Sequence, residues 1–246
     1  MSPSKKVVVV GGHGKVALRL TALLTAAAHR VTSIIRTAAH AGAVQAAGAT
    51  PRVLSLEDSP TADFTEAFRG ADVVYFSAGA GGRGGEARTK AVDFDGAVKV
   101  FDALEAGEEP RPRLVLVSCM DVRDPEKVPE HYTEEDLAVS RQIRASIGVY
   151  LKWKYEADKD LARRTAFRWT MLRPGGLTDE PGTGAASIGR THLTTRISRD
   201  DVAMALFLLL DREGAAGLGI DFVGGETPIA EGLDVVIRKG ESDFLG

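Results

Sequence analysis

Short β-rich runs that alternate with longer helical stretches predict an α/β protein, with a doubly wound, mainly parallel sheet and helices on both faces. Two further observations support that class. The runs "VVVV" (7–10) and "LVLV" (114–117) are apolar at successive positions, as strands buried on both faces are. A glycine-rich turn, "GGHG" (11–14), follows the first run directly and leads into an alanine- and leucine-rich segment. That is the strand–turn–helix order of a Rossmann-type unit.

In chain order, a valine strand over 6–10 leads through the turn to a helix over 15–28. Strand 31–35 with helix 38–47, strand 52–55 with helix 62–68, and strand 72–77 with helix 88–106 repeat the unit. The "LVLV" strand spans 114–118. Residues 121–147 ("DVRDPEKVPEHYTEEDLAVSRQIRASI") are the least core-like stretch, with prolines first and charges throughout. They read as a partly helical flap beside the strand ends, where such sheets bind ligands. Helix 148–164, strand 169–172, a proline–glycine stop, helix 199–211, strand 219–223 and helix 229–238 complete the order. No internal repeat or low-complexity segment is evident.

A length of 246 residues suits one such sheet with a modest extension, so a single unit over 1–246 is expected, with segments 121–149 and 175–246 forming a small C-terminal substrate-side extension. Hydrophobic residues make up 44% of the chain, enough for a full core, and no apolar run approaches the length of a membrane helix. A net charge of -3 argues against a nucleic-acid surface. The single cysteine, Cys119, excludes an internal disulfide and fits a reducing compartment. The start "MSPSKK" lacks the apolar core of a signal peptide, so the cytoplasm is the expected location. The five histidines show no metal-ligand spacing, and no metal site is expected. Monomer and homodimer both stay open.

Gly11, Gly14 and Ala17 form G-x-x-G-x-x-A between strand and helix. The first small residue permits the tight turn, the second lets a pyrophosphate approach backbone N–H groups, and the third allows close helix–strand packing. The contacts expected there come from Gly11, Gly12, His13, Gly14, Lys15 and Val16. A P-loop does not fit, because Lys15 is followed by Val16 instead of the Ser or Thr that holds magnesium. NAD-binding folds place Asp or Glu on the ribose about 20 residues beyond the turn. Here that place holds Arg36, and the first acidic residue of the chain is Glu57. A guanidinium suits a 2′-phosphate, so the expected cofactor is NADP(H), with Lys15 or Arg19 adding positive potential. Asp58 either accepts from the adenine amino group or caps the following helix. In "SAGAGGRGG" (77–85), the small residues Ser77, Ala78 and Gly79 would let a nicotinamide lie against the backbone, unless the stretch is simply a flexible surface loop.

The pieces "GGHGKVA", "SAGAGG", "KAVDFDGA", "LVLVSC", "YLKWKYEAD", "LRPGGLTDEPGTG" and "ISRDDVA" occur in an order that resembles the atypical short-chain dehydrogenases/reductases, the NAD(P)H-binding group that includes NmrA-like proteins and flavin/biliverdin-type reductases. The resemblance covers most of the chain. It implies that Pro174, Gly175, Gly176 and Leu177 lead from the sixth strand over the nicotinamide carboxamide, and that "ISRDDVA" opens a helix beside the substrate.

Tyr150 and Lys154 give Y-x-x-x-K, a spacing that puts both side chains on one helical face. In the larger family the tyrosine donates a proton to the carbonyl oxygen, while the lysine binds the ribose and lowers the tyrosine pKa. The alternative is a packed Tyr150 and Trp153 with a solvated Lys154. The family's third residue, a Ser or Thr, falls at Met120, so either Ser118 substitutes from a shifted position or the group is missing. Cys119 reads as a buried strand residue. Three functions follow: an NADPH-dependent oxidoreductase acting on a small carbonyl, quinone-like or flavin-like substrate; a non-catalytic NADP(H)-binding sensor; and an NAD(P)-dependent epimerase or isomerase.

Overall fold

The valine run of Lys6–Val10 forms β1, buried at every position after Lys6. Its β-branched side chains stiffen extended backbone and pack on both faces. In this computed structural model, which describes residues 3–81 and 84–245, β1 pairs in parallel with β2 (Arg30–Ile35) on one side and β4 (Val73–Phe76) on the other. β3 (Thr50–Val53) extends the first side; β5 (Arg113–Val117), β6 (Trp169–Pro174) and β10 (Gly219–Gly224) extend the second, all in parallel. Antiparallel β8 (Ala185–Ile188) and β11 (Thr227–Pro228) complete a nine-stranded sheet of order β11-β8-β10-β6-β5-β4-β1-β2-β3. β7 (Leu177–Thr178) and β9 (Ile197–Ser198) form a separate pair. The chain runs outward from β1 to β3 and then crosses back to β4. A crevice therefore opens at the carboxyl ends of β1 and β4, the switch point where such sheets take ligands.

Alternate valines of β1 feed two cores. Val7 and Val9 pack with Leu20 and Leu24 of α1 (Lys15–Ala26), Val44 of α2 (Ala41–Ala46), Leu206 of α7 (Arg199–Leu209) and Leu233 of α8 (Ile229–Lys239). Val8 and Val10 pack with Phe64 of α3 (Thr61–Phe68), Phe101 of α5 (Gly96–Glu105) and Leu161 of α6 (Glu134–Ala162). Among the described residues no helix is long and apolar enough to cross a membrane.

Several elements differ from expectation. The helix expected over 88–106 is three segments: α4 (Gly85–Thr89), a π-helical stretch Lys90–Asp95, and α5. The wider turn carries Asp93 into the interior, fully buried. A 3₁₀ turn, Ala38–His40, precedes α2. β3 lies two residues earlier than its apolar run, as an edge strand that tolerates Pro51. Inside the flap, Thr133 and Asp136 form a capping box that starts α6 at Glu134; the helix expected from 148 is its second limb, beyond a kink at Ile147 (φ −130°, ψ 27°). β7, β8, β9 and β11 were not foreseen, being only 2–4 residues long. Asp58 caps no helix: α3 starts after Pro60 without a side-chain cap, and Asp58 instead closes a turn by accepting from Ser55 Oγ at 2.7 Å. Gly82 and Arg83 of "SAGAGGRGG", and Met1 and Ser2 of "MSPSKK", lie outside the described residues.

Candidate cofactor-binding and catalytic site

The turn after β1 is held where only glycine fits. Gly11 has φ +79°, and a Cβ there would lie 2.7 Å from the backbone of Ala78; one on Gly12 would lie 2.5 Å from Ser33 Cβ. The turn is thereby wedged between β2 and the loop after β4. Gly14 is the extended N-cap of α1, with no side-chain cap and no acidic residue in the first turn. Three consecutive N–H groups at a helix start lack helical partners, so this end accepts an anion. Val16 and Ala17 are buried beneath it. The cradle fits the pyrophosphate of a dinucleotide.

Arg36 follows β2, half-exposed, with Nη1 3.8 Å from Glu57 Oε2; Arg88 Nε lies 3.5 Å from the other oxygen of Glu57. This exposed contact is weak enough for a phosphate to replace. His13 is exposed and stacks on His40, ring centroids 3.8 Å apart. Lys15 and Arg19 do not join Arg36. Lys15 Nζ bonds Asp179 Oδ2 at 2.6 Å, and Arg19 turns to Asp179 and Asp200, so both cations serve the exit of β7.

Ser77, Ala78 and Gly79 leave β4, and Ser77 N bonds Val10 O at 2.9 Å. Ala80 N donates to Asp93 Oδ2 at 3.0 Å, and a Cβ on Gly79 would lie 3.0 Å from Asp93 Oδ1. The π-helical turn thus fixes this loop from behind. On the far side, Pro174 O accepts from Met120 N and Gly175 N donates to Phe222 O, each at 3.0 Å. A Cβ on Gly175 would meet Val223 Cγ1 at 2.8 Å, whereas Gly176 has more room and Leu177 pairs with Ile197.

Tyr150, Lys154 and Asp158 follow one another at four-residue spacing along α6 and share a face. Lys154 is buried; its Nζ donates to Val117 O at 3.0 Å, lies 3.9 Å from Asp93 Oδ1 and sits 5.9 Å from the centre of the Tyr150 ring. The structure departs here from the family expectation that lysine lowers the tyrosine. Burial holds the Tyr150 phenol well above its ordinary value, with Cys119, Asp93 and Asp158 adding to the effect. Ser118 is also placed differently, since its hydroxyl donates to the fully buried Asp158. Burial pushes Asp158 up to about 6, against the Ser118 hydrogen bond and the charges of Arg173 and Lys154. Met120 fills the serine slot and takes a contact from Thr191 Oγ1 at 3.4 Å. Cys119 is not the buried strand residue expected: it lies two residues past the end of β5 and is partly exposed, with burial pushing its thiol up to about 11.

The far side of the crevice, beyond β5, carries a dense buried ionic network. Asp121, at φ +59°, accepts from Arg123 Nε at 2.8 Å and Ser140 Oγ at 2.7 Å, and its own carbonyl accepts from Arg144 at 2.8 Å. Arg173 lies 3.3 Å from Asp221 and bonds Val122 O at 3.1 Å. Burial raises Asp221 to about 7 despite that guanidinium. Asp136 is buried yet held at about 2: burial alone would raise it, but bonds from Thr133 N, Leu193 N, His192 Nδ1 and the Thr133 hydroxyl outweigh that. Asp93, Asp136, Asp158 and His192 were not singled out from the sequence. Only Asp158 had a readable signal, as the third member of the Tyr150–Lys154 series.

The fold and cradle define a dinucleotide-binding protein. Residues 11–213 match the NAD(P)H-binding family, and the chain belongs to it. Its architecture is that of the atypical short-chain dehydrogenase/reductase group that the motifs resemble. A UPF0659 protein of Schizosaccharomyces pombe is 39% identical over 242 residues, covering 96% of this chain and 97% of that protein. A Bacillus subtilis protein named an uncharacterized sugar epimerase is 33% identical over 230 residues, covering 93% and 98%. A solved Bacillus halodurans structure, named as a candidate NAD-dependent epimerase/dehydratase, is similar with a TM-score of 0.79 at 29% identity, covering 96% of this chain and all of that one.

Proposed function

We propose that the protein is an NADPH-dependent oxidoreductase that transfers hydride to a small carbonyl, quinone-like or flavin-like acceptor. The observation that carries this reading is the Tyr150–Lys154 pair on α6, with the buried Lys154 ammonium drawn to the end of β5 beside the loop after β4. NADPH, when bound, supplies the hydride. Gly11, Gly12, His13, Gly14, Lys15 and Val16 form its phosphate turn. Arg36 stands where NAD-binding folds carry a carboxylate, which supports NADPH over NADH. Asp58 keeps one carboxylate oxygen for the adenine amino group beyond its Ser55 contact. Ser77, Ala78 and Gly79 on one side, with Pro174, Gly175, Gly176 and Leu177 on the other, flank the nicotinamide.

Lys154 holds the nicotinamide ribose hydroxyls, and Tyr150 keeps a proton on its phenol oxygen at neutral pH and gives it to the reduced oxygen. Ser118 shares its proton with Asp158, so the carbonyl oxygen has one protein donor instead of two. That arrangement favours quinone- or flavin-like acceptors, which take their remaining protons from solvent. The test is NADPH oxidation followed against quinones, flavins, aldehydes and ketones. Turnover of at least one quinone or flavin is expected; none with any acceptor, NADPH still binding tightly, would overturn the reading.

The committed Ser118 hydroxyl and Met120 favour a second reading, a cofactor-binding sensor that turns nothing over. That same inactive outcome would support it. The names of the B. subtilis and B. halodurans relatives are what supports a third, an epimerase that uses bound cofactor transiently.

A further inference from the structure

This inference rests on the reading that NADPH is the cofactor. At the edge of the cradle nearest Arg36, His13 of the β1–α1 turn meets His40 of the 3₁₀ turn after β2, their rings 3.8 Å apart and parallel within 2°. The charges around the pair come from three elements. Arg36, just past the end of β2, acts on His40 through its charge. Glu57, from the turn after β3, lies 3.8 Å from Arg36, and Arg88 of α4 lies 3.5 Å from Glu57. Lys15, the nearest other cation in the turn, is directed away to Asp179.

An imidazole stacked on a second imidazole and beside a guanidinium has, among the described residues, no acceptor for an added proton's charge, and like charges there repel. Burial, His13 and Arg36 all push His40 below its ordinary value. A phosphate monoester reverses the sign of that environment and supplies acceptor oxygens for a charged imidazole N–H. We propose that the His13–His40 stack, with Arg36, forms a proton-linked clamp on the 2′-phosphate of the adenosine ribose, so that NADPH binding draws a proton from solvent onto the pair.

The sign follows from linkage. The phosphate raises the imidazole pKa in the complex, so the histidine's share of the affinity is full below the free-state value and is lost as pH rises through the bound-state value. The second ionisation of the phosphate, near pH 6, acts in the opposite direction, so measurements belong above about pH 7, where it is a dianion.

Calorimetric titration of NADPH in two buffers of different ionisation enthalpy reads the proton directly, and NADH, without the phosphate, gives the baseline. The wild-type protein is expected to take up a proton with NADPH but not with NADH, and to lose NADPH affinity about three- to tenfold between about pH 7 and 8. His40→Gln abolishes the uptake and flattens that slope. His40→Lys, a fixed cation, restores tight NADPH binding at pH 8 without uptake, which a merely structural role for His40 would not produce. Equal uptake and slope in wild type and His40→Gln overturns the clamp and leaves the cofactor reading standing. Equal NADPH and NADH affinities at every pH overturns both.

Discussion

On the cofactor side of the crevice polar groups are left open, whereas on the far side most are paired within the protein, with Asp158 Oδ1 and Asp221 Oδ1 buried without a hydrogen-bond partner. The start of α1 has no side-chain cap and no acid, and the ion pair of Arg36 with Glu57 is exposed and long, at 3.8 Å. Across the crevice, Asp121, Asp136, Asp158 and Asp221 are all buried and bonded or paired to neighbours. One side is built to receive charge and the other to neutralise its own. Buried ion pairs are costly to break and offer a ligand little.

The contrast can be broken from either side. The largest effect is expected at Arg123, whose removal takes the nearer of two guanidinium groups from the buried Asp121, leaving Arg144 Nε at 3.4 Å, and also unties the carbonyls of Asp124, Pro125 and Lys127: Arg123→Ala should cost about 3–5 kcal/mol in urea unfolding while NADPH affinity stays put. A loss below about 1 kcal/mol would show that the network is not what holds the flap. Gly14→Val is the converse, a large loss of binding with little loss of stability. A Cβ there meets Gly11 O at 3.2 Å, a small accommodation, but the side chain fills the pyrophosphate space. NADPH and NADH affinities should both fall by about a hundredfold or more, about 2.7 kcal/mol, with the unfolding midpoint nearly unchanged. Normal dinucleotide binding by the variant would mean the cradle is misplaced.

Tyr150→Phe sharpens the comparison where the two sides meet. Steady-state rates should drop about 10²-fold on a carbonyl substrate, hardly change on a quinone, and leave NADPH affinity alone. Lys154→Ala should damage both rate and cofactor affinity. A silent Tyr150→Phe on the carbonyl would remove the phenol from the chemistry.

A smaller effect belongs to pH. Asp158 rises to about 6 and Asp221 to about 7 in the fold, so the native state binds protons that the unfolded chain has released. Their contribution to stability is full below about pH 4 and is lost as pH climbs toward 6 and 7. Asp158→Asn, which still accepts from Ser118, should gain on the order of 1–3 kcal/mol at pH 7 and nothing at pH 4. Chemical denaturation at both pH values checks this, and equal gains would separate the effect from ionisation.

The cofactor side was legible because its signals are local. "VVVV" followed by "GGHG" states strand, turn and helix within a dozen residues, and Arg36 stands at a fixed distance from that turn. The Tyr150–Lys154 spacing is local too. The far side is built from partners far apart in sequence, such as Asp136 and His192 at a separation of 56, which no spacing rule links. Asp93 faces inward because of a π-helical turn, and nothing in "KAVDFDGA" distinguishes that turn from an α-helix. The strands missed on this side are held by pairing to β10 or to each other and carry too few residues for a pattern. The positive potential expected from Lys15 or Arg19 is not added beside Arg36, because nothing in their spacing points to Asp179, which captures both from across the crevice.

The most direct test of an open, phosphate-seeking cofactor side is a paired calorimetric titration of NADPH and NADH into the wild-type protein and Arg36→Ala. One charge-assisted phosphate contact contributes about 1.5–3 kcal/mol, so the wild type should bind NADPH at least tenfold more tightly than NADH. Arg36→Ala should lose most of that preference with NADH affinity little changed. Equal affinities for the two cofactors in the wild-type protein would contradict it.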